Sequence, residues 1–366
     1  MSIRASEEAV LVAEFSKQLI PFQVEVSLTA EPGSTFVLVG ESGAGKTTIL
    51  NVLAGLVQPD RGRIRLEDLD LFHSERGIAM PANERPIGYV FQDYVLFPHL
   101  SVFENVAFGL RAQGRGESQV RRETRGILEQ LGIDDLAARK PRELSGGQRQ
   151  RTALARSLVL KPRLLLLDEP LSAIDLQTRR EVRTELRRIL ANLPCVTLFV
   201  THSPFEAMVF GNQVGVVDHG KLIQVGDRDE LLRRPRSRYV AEIMGVNLFK
   251  GRVSSRDATG LAEVQTPNGV VHTLSEVLSD EIFITVDPRE ITLHPLPPSG
   301  TAQNVFNGPI LEMVPEPPQG ERVRIVLGTQ PPLVAEITAH SVHTLGLREG
   351  LSVFASFKAT AAKCYN

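Results

Sequence analysis

The stretch Phe36-Val37-Leu38-Val39-Gly40-Glu41-Ser42-Gly43-Ala44-Gly45-Lys46-Thr47-Thr48 decides how the chain is read. Four consecutive apolar residues are too few for a helix and the right length for a strand buried on both faces. They run into a loop that fits GxxxxGK(S/T), and the apolar residues that follow, Ile49, Leu50, Leu53 and Leu56, return at helical spacing. Strand, glycine loop and helix in this order predict a phosphate-binding turn. Glycines let the backbone amides of Gly40, Glu41, Ser42, Gly43, Ala44 and Gly45 face phosphate oxygens, while the helix start adds positive potential. Lys46 is placed to reach the outer phosphates of a nucleotide, Thr47 offers a hydroxyl to magnesium, and Thr48 completes the candidate nucleotide-binding set.

Two more buried runs end in polar residues: Leu164 to Leu167 lead into Asp168-Glu169-Pro170, and Leu198-Phe199-Val200-Thr201 leads into His202. In an open parallel sheet, ligands collect at the C-terminal strand ends. Asp168 therefore suits a magnesium role through water, Glu169 suits orienting or deprotonating an attacking water, and His202 can donate to a terminal phosphate. Gln92, in Tyr89-Val90-Phe91-Gln92-Asp93, can touch the magnesium or the water, although a polar surface turn also explains it. Further on, Leu144-Ser145-Gly146-Gly147-Gln148-Arg149-Gln150-Arg151 forms a second anion-binding helix start. A helix cap accounts for Ser145 but not for two glycines, which weaken a helix.

Composition narrows the classes. Lys and Arg total 41 against 43 Asp and Glu, so there is no electrostatic footprint for nucleic acid and no such partner is expected. Cys195 and Cys364 are the only cysteines, too few for a disulfide framework or a structural zinc site. Glu7, Glu8 and Glu14 around a short apolar patch do not make a signal peptide. No window reaches the roughly 18 apolar residues of a membrane span, so any membrane role is expected through a partner.

Along the chain, residues from about 20 to 240 alternate between short apolar runs and helical patterns, which predicts an α/β domain with a parallel sheet. A helical insertion is expected over about 93–160, with Glu117 to Ala138 as a surface helix. Val214 to Gly226 reads as a hairpin turning at Asp218-His219-Gly220-Lys221, followed by a basic helix from Leu231 to Tyr239. Past Gly245 short β-type runs dominate, with prolines clustered at Pro295 to Pro298 and Pro315 to Pro318. The boundary is therefore expected near residue 245, with one domain over 1–245 and an all-β domain over 246–366. The second domain repeats itself. Asn247 to Val253 resembles Asn304 to Ile310, and Ile282 to Val286 resembles Val353 to Phe357, giving halves of about 246–297 and 303–362 with an insertion in the second.

Taken together, GESGAGKTT, Gln92, LSGGQRQR, LLLLDEP, Ser172-Ala173-Ile174-Asp175 and His202 stand in the order and spacing of the ATP-binding-cassette ATPases. The resemblance covers residues from about 10 to 240. Ile174 replaces the usual leucine, and Ser203-Pro204 stand where an acidic residue commonly follows the histidine. It implies an ATPase using ATP and Mg2+, with Thr47, Gln92 and Asp168 at the metal, Glu169, His202 and Gln92 catalytic, and Asp175 in the D-loop. It further implies two cassettes head to tail, each ATP held between the phosphate loop of one and Leu144, Ser145, Gly146, Gly147 and Gln148 of the other. A homodimer is expected.

Tyr89 to Leu110 is similar to the importer branch, in which this segment surrounds the groove for a coupling helix of the membrane subunit. The branch implies two permease subunits, an extracytoplasmic substrate-binding protein and a place on the cytoplasmic face of the membrane. The C-terminal part resembles the TOBE/Mop-like barrels of importer ATPases, two small OB-like units. Two features resemble the molybdate importers. Phe15-Ser16-Lys17-Gln18-Leu19 lacks the usual adenine-stacking tyrosine, leaving Phe15 as a candidate and Phe22 as its rival. Val353 to Ala361 is similar to an oxyanion-binding barrel end, with Lys358 and Thr360 as candidate oxyanion contacts or a solvated edge. Iron(III), sulfate and polyamine importers remain alternatives, as does a cassette ATPase of translation or repair. Translation types usually have two cassettes per chain and repair types a long coiled coil; neither is present.

Overall fold

Short apolar runs separated by helical spacing become a parallel sheet covered by helices. The computed structural model describes residues 11–274, 281–315 and 320–366; Glu7, Glu8, Pro317 and Pro318 lie outside the described residues. The chain divides between Arg228 and Asp229, ahead of the boundary expected near residue 245.

The first unit carries β1 (Leu11–Gln18), β2 (Gln23–Ala30), β3 (Thr35–Val39), α1 (Lys46–Ala54), β4 (Arg61–Leu66), β5 (Leu69–His73), β6 (Ile78–Ala79), β7 (Ile87–Val90), α2 (Val102–Ala112), α3 (Glu117–Gln130), α4 (Gly146–Leu158), β8 (Leu164–Asp168), α5 (Leu176–Leu190), β9 (Val196–Thr201), α6 (Pro204–Phe210), β10 (Gln213–Asp218) and β11 (Lys221–Gly226). Its sheet runs β6-β5-β4-β1-β2-β11-β10-β3-β9-β8-β7. β3, β8 and β9 are buried at every residue, as continuous apolar runs in parallel pairing must be. The expected helical insertion is α2, α3 and α4, between β7 and β8. α2 is started by a capping box in which Ser101 and Glu104 satisfy each other's amides. α3 buries only Val120, Thr124 and Leu128, a narrow i, i+4, i+8 stripe that suits a surface helix.

The second unit opens one residue into α7 (Arg228–Arg233) and continues with α8 (Arg238–Met244). The single basic helix expected from Leu231 to Tyr239 is broken at Pro235, which lacks an amide and disfavours helix at the residue before it; Ser237 then caps α8. The segment joins the β part because Val240, Ala241 and Met244 are buried and the Tyr365 hydroxyl donates to the Pro235 carbonyl. There follow β12 (Asn247–Arg256), β13 (Leu261–Thr266), β14 (Gly269–Leu274), β15 (Glu281–Val286), β16 (Thr292–His294), β17 (Asn304–Pro315), β18 (Arg322–Leu327), β19 (Leu333–Thr338), α9 (Ala339–Thr344), β20 (Ser352–Phe357) and β21 (Lys363–Tyr365). They form two five-stranded sheets, β14-β13-β12-β15-β21 and β16-β20-β17-β18-β19.

The segments that resemble one another in sequence pair in equivalent registers. Asn247 pairs with Val286 and Gly251 with Ile282 in one sheet, as Asn304 pairs with Phe357 and Gly308 with Val353 in the other. α9 falls between β19 and β20, in the half expected to carry the insertion. The halves exchange their last strands, since β16 joins β20 and β21 joins β15. Two asparagines complete the exchange. The Asn247 amide receives the Val334 N–H at 2.7 Å and donates to its carbonyl at 2.9 Å; Asn304 does the same for His272 at 2.7 and 2.9 Å. Each amide supplies the partner that an edge strand of the other half would lack.

A buried guanidinium sets α1 in the first unit. Arg85, 7% exposed, donates to the Val52 and Leu53 carbonyls at the end of α1 and to Met80 and Leu71. Burial lowers its pKa to about 10, so it stays charged. Arg85→Ala leaves these carbonyls without a donor and lowers the unfolding free energy by about 3 kcal/mol. Arg85→Lys recovers little, because one ammonium cannot reproduce the planar fork; urea unfolding followed by circular dichroism measures both.

Candidate functional site

Parallel registers bring the polar strand ends together. Val39 lies opposite Thr201, Val200 opposite Asp168, and Val90 opposite Leu167. The phosphate loop, His202, Glu169 and Gln92 therefore all leave the sheet at one edge.

Three glycines of the loop have specific duties. A side chain on Gly40 would come within 2.2 Å of the Val217 carbonyl, while Gly43 and Gly45 have φ of 83° and 99°, left-handed values that favour glycine. The Gly220 amide, in the β10–β11 turn, donates to Ala44 O at 2.9 Å. Lys46 is 4% exposed and folds back on its own loop, donating to the Gly40 carbonyl at 2.8 Å and the Glu41 carbonyl at 2.7 Å. Burial pulls its ammonium below the usual lysine range, against the charges of Glu169, Asp168 and Glu41. Ser42 and Thr47 are exposed and Thr48 half-buried at the start of α1.

The Thr47 hydroxyl donates to Asp168 Oδ1 at 3.1 Å. Burial, helped by the charge of Glu169, raises the Asp168 carboxyl above its usual range, while hydrogen bonds from Thr47 and Tyr89 oppose the shift. A hydroxyl and a carboxylate side by side offer oxygen ligands of the kind a magnesium ion takes. Tyr89 was not singled out by the sequence; its hydroxyl reaches Asn51 Oδ1 at 3.1 Å and Asp168 Oδ2 at 3.4 Å. Glu169 has φ of 43°, an uncommon value for a residue with a side chain, held by its amide bond to Val200 O. Its Oε2 lies 3.0 Å from His202 Nδ1, so the carboxylate and imidazole are paired. Gln92 is exposed just beyond β7.

Phe15 is corrected. It is 4% exposed, facing the core from β1, and has no free face for a base. Phe22 instead lies against the loop: side chains placed on Gly45 and Gly220 would come within 3.3 and 2.7 Å of its ring.

Ser145 caps α4. Its hydroxyl accepts from the Gln148 amide at 3.3 Å and Gln148 Oε1 accepts from the Ser145 amide at 2.9 Å; Leu144 is buried. Gly147 also has a packing duty missed in the sequence, since a side chain there would meet Val182 of α5 at 2.9 Å; Gly146 has only ordinary contacts. Asp175 accepts from the Thr178 amide at 3.0 Å at the start of α5.

Within the second unit, Lys358 and Thr360 border a cavity of about 620 Å³ shared with Arg233, Arg289 and Lys363. Arg289 is bound to Asp287 by two bonds of 3.0 and 2.6 Å, which hold the Asp287 carboxyl below its usual range. Arg289 could be reached from the sequence by extending the repeat beyond Val286 and Phe357, which sets Asp287 against Lys358 and Arg289 against Thr360.

Residues 24–172 match the ABC transporter family model, and residues 300–363 the TOBE domain. The chain is 37% identical over 354 residues to the molybdate/tungstate import ATP-binding protein WtpC of Pyrococcus horikoshii, covering 96% of this chain and 98% of that protein. It is 39% identical over 302 residues to the spermidine/putrescine import ATP-binding protein PotA of Protochlamydia amoebophila, covering 79% of this chain and 78% of that one. Among solved structures, cbiO1 of Clostridium perfringens, part of the ABC transporter complex cbiONQ, superposes with a TM-score of 0.55 at 27% identity, covering 62% of this chain and 92% of its own. With its phosphate loop, paired Glu169 and His202 and capped glycine helix, the chain belongs to the ABC transporter family, as an ATP-hydrolysing subunit of an importer.

Proposed function

We propose that this subunit works as a head-to-tail homodimer on the cytoplasmic face of a membrane. There it drives two permease subunits fed by an extracytoplasmic binding protein, and its cargo is molybdate or tungstate. One observation carries the dimer. Ser145 closes its cap with the amides of Gln148 and Arg149, and the cap does not use those of Gly146 and Gly147 at the same helix start. A second copy's terminal phosphate suits them.

In this reading the phosphates lie along Gly40 to Thr47, with Lys46 at the outer pair. Thr47 and Asp168, with Gln92 just beyond the neighbouring strand β7, would hold magnesium, which when bound neutralises phosphate charge. Among the described residues no cluster of three metal-binding side chains exists. A magnesium ion that takes one carboxylate, one hydroxyl, one side-chain amide oxygen, waters and the nucleotide's own oxygens needs no such cluster. Glu169 orients or deprotonates the attacking water. His202, paired to Glu169 through Nδ1, keeps Nε2 for the terminal phosphate.

The cargo reading draws on the WtpC relatives and on the second-unit cavity, where Arg233, Arg289, Lys358 and Lys363 outnumber Asp287 and Glu290 among hydroxyls of Thr285, Thr292, Ser356 and Thr360. Cations and hydroxyls suit an oxyanion and oppose a polyamine.

Glu169→Gln should bind ATP, fail to turn it over and accumulate as a closed dimer in size-exclusion chromatography; an unchanged ATPase rate refutes the role of Glu169. Ser145→Arg should abolish turnover while leaving nucleotide binding at the phosphate loop largely intact, and a wild-type rate would end the head-to-tail dimer. In titration calorimetry, the full chain should bind molybdate or tungstate, spermidine should give no heat, and Lys363→Ala should weaken the oxyanion by about tenfold, one lost charge-assisted contact. No heat with either oxyanion would remove the support that the cavity gives to the cargo and leave the ATPase reading standing.

A further inference from the structure

His202 is held oddly lightly for the part it is given. Its side chain is 57% exposed, and the bond to Glu169 is the contact that orients its ring. Bonded to both of its neighbours in sequence, Thr201 and Ser203, is a residue whose carboxylate the chemistry above does not use. Glu206, on α6, is 7% exposed. Burying a carboxylate is costly unless it is well bonded, so a buried one usually has a positional duty.

Its partner is the Thr201 hydroxyl, which donates to Glu206 Oε2 at 2.5 Å. The same oxygen of Thr201, itself 1% exposed, accepts the Ser203 amide at 3.0 Å. Ser203 Oγ in turn accepts the Glu206 amide at 3.3 Å as the cap of α6. In an ordinary capping box the acidic residue three positions into the helix would bond the cap amide itself. Here the threonine hydroxyl stands between them. The chain of bonds runs from Ser203 N–H to Thr201 Oγ1 to Glu206, and the turn it closes contains one residue between its ends, His202.

We propose that Glu206 and Thr201 form a positioning relay for His202, fixing the backbone of the switch residue so that its ring meets Glu169. The carboxylate orients the Thr201 hydroxyl, leaving its lone pairs to accept the Ser203 amide; the amide clamps the two ends of the His202 turn. Ser203-Pro204, standing where an acidic residue commonly follows the histidine, fits this arrangement. Ser203 is the cap, Pro204 sits at the first helical position where its missing amide is no loss, and the acidic group arrives at position 206. Glu206 touches neither nucleotide nor water in this scheme and acts only through His202.

The proposal rests on the reading of His202 as a catalytic group, so His202→Ala is the reference. Thr201→Val keeps the shape and the strand preference of the side chain and removes the relay. It should lower kcat by about tenfold, the scale of a misplaced catalytic group, while the KM for ATP and nucleotide affinity stay within about twofold. Glu206→Ala should match it, and Glu206→Gln, whose amide oxygen still accepts from Thr201, should recover most of the rate. Thermal unfolding reports whether each variant is folded, and the isosteric Thr201→Val decides the matter should Glu206→Ala fail to fold. A wild-type kcat in Thr201→Val beside an inactive His202→Ala overturns the relay alone. A parallel loss of kcat and nucleotide affinity, or no recovery in Glu206→Gln, also overturns it. An unimpaired His202→Ala overturns the catalytic reading and the relay with it.

Discussion

The parallel hydrogen-bond ladder of β7, β8, β9 and β3 is the constraint on which the site depends. Its registers set Val39 against Thr201, Val200 against Asp168 and Val90 against Leu167, so four strands end almost level. Side chains alternate faces with a period of two, and a slip of one residue in β8 would send Asp168 and Glu169 to each other's directions. The slip is resisted at the end of β8, where it would carry Asp168 one place along the ladder and away from the Thr47 and Tyr89 hydroxyls that bond it, while the strands themselves stay buried at every position. At ~1.5–3 kcal/mol for each large apolar side chain, the burial of these strands far exceeds any single polar contact at their ends. The site is thus positioned by residues that never meet a nucleotide.

That surplus is spent on features that oppose stability locally. Glu169 is held at φ of 43°, and Lys46 is a nearly buried cation bonded to two carbonyls of its own loop. Both are tolerable because the surrounding lattice determines them: the Glu169 amide is tied to Val200 of the next strand, and Lys46 feels the charges of Asp168, Glu169 and Glu41. An ammonium whose acceptors are carbonyls rather than carboxylates keeps its charge unneutralised by direct pairing. A polyphosphate is a better partner than either carbonyl.

How much of this was legible in the sequence follows from where each constraint acts. The glycine loop, Asp168-Glu169 and His202 were readable because the chemistry demands particular side chains at fixed offsets from an apolar run. The breaking of the basic segment at Pro235 was also open to reading, since the proline is in plain view. The burial of Phe15 was legible too, since Leu11, Ala13 and Phe15 alternate along one buried face of β1 and leave the ring no place beside a nucleotide. Phe22 was not readable as the residue beside Gly45, because the contact also involves Gly220 of a hairpin roughly two hundred residues away in sequence. The packing duty of Gly147 depends likewise on Val182 of another helix. Glu206 was hidden for a subtler reason: three residues into a helix, an acidic residue reads as an ordinary cap, and only the inserted Thr201 hydroxyl distinguishes it.

The second unit obeys a different logic, in which repetition replaces register. Each half gives its last short strand to the other and lends one asparagine amide to the other's edge, so neither sheet is complete within its own half of the sequence. Removing one half would strip a strand from the remaining sheet and expose an unpaired edge, which proteins of this size rarely leave open. The cavity inherits the same dependence. Lys358 and Thr360 come from the end of one half, Asp287 and Arg289 from the equivalent end of the other, and Lys363 from an exchanged strand. An anion bound among them would touch residues on both sides of the exchange, and its binding free energy would add directly to the stability of the exchanged arrangement.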